Sequence, residues 1–97
     1  MREHQISFPF GRLVSTAGVN AEIQENEEFK FFSIESLAKF LRGDWGQVCE
    51  EDKETNDDAL KLGNRLVGSY EKEGLKKLWI ITEADRSTTT LLFPSEY

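Results

Sequence analysis

Two runs of strand-forming residues dominate the last third of the chain. Leu78 to Glu83 and Thr88 to Phe93 are rich in β-branched and apolar side chains, and they flank the short polar link Ala84 to Ser87. Strand formers on both arms with turn formers between them spell a β-hairpin. A chain that places its most apolar segments in a hairpin must use the rest to extend that sheet or to cover it.

Upstream the pattern supports both uses. From Arg65 the apolar period is two, which predicts strands over about 65–71, 77–83 and 88–93, joined by links of hairpin length into an antiparallel meander. In the central strand Trp79 and Ile81 share one face with Glu83, and Leu78, Ile80 and Thr82 share the other. Apolar residues on both faces predict a covered strand. Phe10 to Ser15 reads as one more short strand, with Leu13 and Val14 as its apolar part.

Between these strands the period is helical. Thr16 is a candidate N-cap for a helix from Ala17 that turns Val19 and Ile23 inward and stops near the acidic run Glu25 to Glu28, which opposes a helix C-terminus. Ser33 reads as the N-cap of a helix ending at Arg42 and Gly43. Its apolar residues Ile34, Leu37, Ala38 and Leu41 recur at i, i+3, i+4 and i+7. Asp44 and Gln47 have capping-box spacing, which predicts a further helix with Trp45, Val48 and Cys49 on one face. Trp45, just after the break at Gly43, is expected to be buried as a staple between helices. Asn56 is a candidate cap for a last short helix carrying Ala59, Leu60 and Leu62 and closed by Gly63.

The expectation is a single α+β domain spanning residues 1–97. A small antiparallel sheet of three to four strands (about 10–15, 65–71, 77–83 and 88–93) carries helices from about 17–62 packed on one face. Ninety-seven residues suffice for one core, since a chain of this size buries about two-thirds of its unfolded surface.

The net charge of −6 is unevenly spread. Between Glu25 and Asp58 stand 11 acidic residues against Lys30, Lys39, Arg42 and Lys53, so the middle of the chain supplies the whole negative excess. Such a charge argues against direct binding to nucleic acid or to an anionic membrane, and it suits a basic protein surface as partner or simple solubility. No apolar run reaches membrane-spanning length and the N-terminus lacks a signal-peptide pattern, which makes the cytoplasm the expected location. One cysteine, Cys49, excludes an internal disulfide. Its anionic neighbours disfavour a thiolate, so it reads as a small buried apolar residue. The lone His4 has no nucleophile arrangement around it. No cofactor is expected.

Two groups of residues are candidates for a site. Asp44, Glu50, Glu51 and Asp52, with Trp45 among them, form an acidic stretch fit to meet a basic partner, though without the alternating oxygens and bend glycine of an EF-hand loop. Glu83, Asp85 and Arg86 bring two carboxylates and a guanidinium to one hairpin link. Paired carboxylates can do acid–base or metal work. Equally, Asp85 and Ser87 are turn formers, and Arg86 can pair with an upstream carboxylate beneath the helices.

Gly43 to Gly46, Cys49 to Asp52, Asn56, the stretch Leu78 to Ser87, Thr89-Thr90 and Pro94 to Tyr97 together resemble a family of small uncharacterised bacterial proteins often labelled plasmid-related. The resemblance covers roughly residues 41–97 and is fairly specific in the run Trp79 to Ser87. It implies a bacterial, plasmid or mobile-element setting and carries over no catalytic residue. The resulting expectation is a small acidic interaction protein, an accessory or inhibitor acting through an acidic surface. The alternative is a metal-dependent hydrolase or nuclease-like enzyme using Glu83, Asp85 and Arg86.

Overall fold

A computed structural model describes residues 8–48 and 50–97, the side chain of Glu50 excepted. The readings of His4 and Cys49 lie outside the described residues. In chain order the elements are β1 (Arg12–Ser15), α1 (Ala17–Glu25), α2 (Glu27–Leu41), α3 (Glu50–Leu62), β2 (Leu66–Tyr70), β3 (Leu78–Thr82) and β4 (Thr88–Leu92), followed by a 3-10 turn over Pro94–Glu96. The four strands form one sheet in the order β1-β4-β3-β2. The fold is α+β.

The meander forms as the pattern implies. β2 pairs antiparallel with β3, and β3 with β4, in a register that aligns Gly68, Ile80 and Leu91. β1 departs from an all-antiparallel sheet, because it joins the far side of β4 in parallel, Leu13 opposite Thr89. No hairpin links β1 to its neighbour. Three helices intervene, and a crossover of that length is what parallel pairing requires.

Leu78, Ile80 and Thr82 are fully buried on the inner face of β3, and Leu78 and Ile80 share one core cluster with Val19, Phe29 and Phe40 of the first two helices, also at 0% exposure. Thr16 caps α1 as its position suggests, its hydroxyl accepting from the Val19 N–H at 3.2 Å. α2 begins six residues before the expected Ser33 cap. Asn26 caps it, its side-chain oxygen accepting from the Phe29 N–H at 3.2 Å, and Glu27 and Glu28 fill the first turn where the dipole favours anions. The acidic run that ends α1 thus also starts α2. Ser33 lies inside the helix and returns its hydroxyl to the Lys30 carbonyl at 2.7 Å.

The buried face of α2 differs from the expected one. Phe29, Phe32, Ser33, Ser36 and Phe40 point into the core, whereas of the expected face only Leu37 and Leu41 are half-buried against it, Ile34 is 56% exposed and Ala38 is also exposed. Two apolar stripes compete on this helix. The aromatic one prevails because each phenyl ring brings more area out of water than an alanine or isoleucine.

The third helix is one element, not two. Residues 44–48 do not become helical; they run beside β2, and Gly46 makes a bridge to Ser69. The Ser69 N–H donates to the Trp45 carbonyl at 3.1 Å and the Gln47 N–H to the Ser69 carbonyl at 2.6 Å. Gly46 has φ of +77°, and a Cβ there would collide with the Ser69 backbone and the Tyr70 ring. Asn56 sits inside α3, and its amide side chain pairs with both the N–H and the carbonyl of Val67 at 3.1 and 2.8 Å. A loop and one asparagine therefore close the outer edge of β2, the place where an unpaired strand would recruit other chains.

Trp45 is buried, 3% exposed, against Phe8 and Phe40, and its indole N–H donates to the Asp57 carboxylate at 3.1 Å. It staples the segment after α2 to α3.

Candidate interaction surface

The hairpin link between β3 and β4 is built as a turn. The Arg86 N–H donates to the Glu83 carbonyl at 2.9 Å, and Arg86 takes a left-handed φ of 61°. Asp85 accepts from the Ser87 N–H at 3.0 Å. Bonds from the Ser87 hydroxyl and N–H hold its carboxyl below the usual range despite full exposure. Arg86 reaches inward to carbonyls. Its guanidinium donates to Asn64 at 2.7 Å, to Ala59 at 3.1 Å and to Glu83 at 3.2 Å. The Ala59 carbonyl lies at the C-terminal end of α3, where a cation complements the helix dipole. Arg86 therefore ties hairpin to helix through carbonyls, where an upstream carboxylate was the partner considered from the sequence.

The remaining candidates fall in separate places. Glu83 is exposed at the hairpin end of β3. Asp44 stands by the opposite end, where its carbonyl accepts from the Tyr70 hydroxyl at 2.6 Å. Tyr70 is the partner of Leu78 and Thr82 is four residues further along β3, a strand length of roughly 13 Å. Asp44 turns its carboxylate onto the Gly46 N–H at 3.1 Å. Among the described residues no group of three or more His, Cys, Asp or Glu side chains is placed to hold a metal ion. Trp45 belongs to the core and offers no surface.

Glu51 and Asp52 are exposed on α3, together with Glu54, Asp57 and Asp58; the Glu50 side chain lies outside the described residues. This helix is almost wholly polar. Among its described residues only Asn56 and Ala59 are buried and Leu60 is half-buried against the core, so bonds to Val67, Trp45 and Arg86 supplement a narrow apolar contact.

Beside α3 opens a groove of about 500 Å³ that the sequence reading missed. Val67 and Trp79, from the sheet face opposite the core, and Val48 form its apolar part, and Asp52, Arg65 and Lys77 contribute charges. Trp79 is half-buried, and the Tyr97 ring meets it edge-on at 5.7 Å with the Arg65 guanidinium 5.4 Å from the centre of that ring. The groove was legible in one respect. Trp79 alternates with Ile80, so a sheet covered by helices on one face leaves the indole on the other.

At the end of the chain, Glu96 accepts from the Thr16 hydroxyl at 2.6 Å and from the Phe93 N–H at 2.9 Å. These two bonds, the first the stronger, hold its carboxyl below the usual range. Among the described residues no helix is long and apolar enough to cross a membrane. Compared with known proteins, the chain matches no family model, no curated protein and no solved structure.

Proposed function

We propose that this chain is a non-enzymatic interaction protein that receives a basic, partly apolar segment of another protein along α3. The observation that carries the reading is a juxtaposition. Glu51, Asp52, Glu54, Asp57 and Asp58 all face water on one helix, and the groove holding Val67 and Trp79 runs beside it. Exposed carboxylates steer a cationic partner during approach, and an indole at the edge of an apolar groove gives it something to anchor on. An accessory or inhibitory role follows if the bound segment is one the partner needs. A plasmid or mobile-element setting belongs to the same proposal and rests on the resemblance of residues 41–97 alone.

The test is titration with a Lys- and Arg-rich peptide that also carries leucine and phenylalanine, followed by Trp79 fluorescence and by stopped-flow rates. The association rate should fall at least tenfold between about 50 and 500 mM salt, because screening shortens from over 10 Å to a few ångström. Joint reversal of Glu51, Asp52 and Glu54 to lysine should remove binding. Equal rates at both salt concentrations, or a reversed variant that binds like the parent, would defeat the proposal.

A further inference from the structure

The face of α2 that turns away from the core carries its own apolar pattern. Glu27, Phe31, Ile34, Ala38 and Leu41 follow one another at spacings of four, three, four and three, the period of a coiled-coil seam. Phe31 is 58% and Ile34 56% exposed, and Ala38 and Glu27 are exposed as well. A helix already buried along its aromatic stripe thus has a second stripe that faces water from Glu27 to Ala38 among the described residues and runs at its end into Leu41, half-buried against the core. The pattern is separate from the α3 groove and does not depend on the function proposed for it.

We propose that this stripe is the contact of a two-fold dimer in which α2 packs antiparallel on α2 of a second copy. The occupant follows from size and charge. Antiparallel pairing about Ile34 sets the large Phe31 against the small Ala38 of the second copy, so that each ring has room. It also lays the first turn, with Glu27 and Glu28, beside the last turn, with Lys39 and Arg42. Parallel pairing would put ring on ring, acid on acid and base on base. A self-complementary patch of this kind closes with two-fold symmetry and cannot grow into a fibre. The seam is only 15 residues long, about 22 Å, which fits a reversible, micromolar association better than an obligate one.

Sedimentation velocity of the full chain from about 1 to 500 µM decides the matter. A monomer at the low end should pass to a dimer at the high end, with no larger species. Phe31→Glu changes an exposed position and should weaken association by about a hundredfold while leaving the melting temperature in place. Glu27→Arg and Arg42→Glu should each weaken self-association, and an equimolar mixture of those two variants should recover it as a heterodimer. A chain that stays monomeric at every concentration overturns the proposal, leaving the stripe to a different partner. A dimer indifferent to Phe31→Glu, or a mixture that fails to recover, overturns it too.

Discussion

Arg86 and the threonines beneath it show how much a few polar atoms settle in this molecule. The guanidinium satisfies carbonyls from the end of α3, from Asn64 and from its own turn. Arg86→Met should destabilise the fold by about 1–3 kcal/mol in denaturant melts, since it removes the charged donor that joins the hairpin to the end of α3. Asp85→Asn keeps an oxygen for the Ser87 N–H and should change stability by less than about 0.5 kcal/mol. The Thr82 and Thr89 hydroxyls lie 2.6 Å apart at 0% exposure, and Thr89 donates to the Phe10 carbonyl at 2.7 Å. Thr89 spends its only proton on Phe10, so Thr82 must be the donor between them. Thr89→Val should therefore cost about 1–3 kcal/mol, for it strands both the Thr82 hydroxyl and the Phe10 carbonyl. A Thr82→Val, Thr89→Val double variant should lose less than the two single losses added together. None of this network was legible in the sequence, where Thr88 to Thr90 read only as strand formers.

At the scale of elements, the sequence was most readable where one signal acted alone. Thr16 had no rival as a cap, and the β3–β4 hairpin no rival as a pairing. It misled wherever a side chain had two uses. Asp44 and Gln47 have the spacing of a capping box, yet Asp44 bonds the Gly46 N–H and Gln47 accepts from the Glu71 N–H at 3.0 Å. Asn56 is a good helix starter and instead reaches out of a helix to a strand edge. The acidic surface was legible, because a charge run states its own exposure. The groove beside it was legible only in the alternation that places Trp79, because Arg65, Val67 and Trp79 meet only once the sheet has formed. Asn56→Leu should test the edge pairing: it removes two bonds to Val67 and should lower stability by about 2–4 kcal/mol. The exposed edge should also make the variant aggregate at concentrations where the parent stays clear.

For the whole molecule, the radius of gyration of 13.0 Å is that of a well-packed chain of this length. Its stability should depend on pH at both ends of the scale. The Asp85 and Glu96 carboxyls titrate lower in the folded chain than in the unfolded one. Their contribution is present above the unfolded value of about 4 and is lost as pH falls through the folded values. Glu96→Gln should flatten the acid side of the stability profile below about pH 5. Tyr70 acts at the other end. Burial, reinforced by the nearby Asp44, raises its pKa well above the ordinary phenol value. Its stabilising effect is complete below about pH 10 and is lost as pH rises beyond that. Melts of the parent chain should show alkaline unfolding that begins near pH 10, and Tyr70→Phe should postpone it.

The way α3 is attached has a kinetic consequence. An element held by side-chain bonds, a buried Ala59 and a half-buried Leu60 can detach as a unit while Phe29, Phe40 and Ile80 stay in place. Its opening free energy is then a fraction of the global one, and hydrogen exchange should read two levels of protection, with α3 amides fast and β3 amides slow. A bound basic segment would pull the fast set towards the slow one. Affinity at this surface is therefore recorded in how seldom the helix lets go.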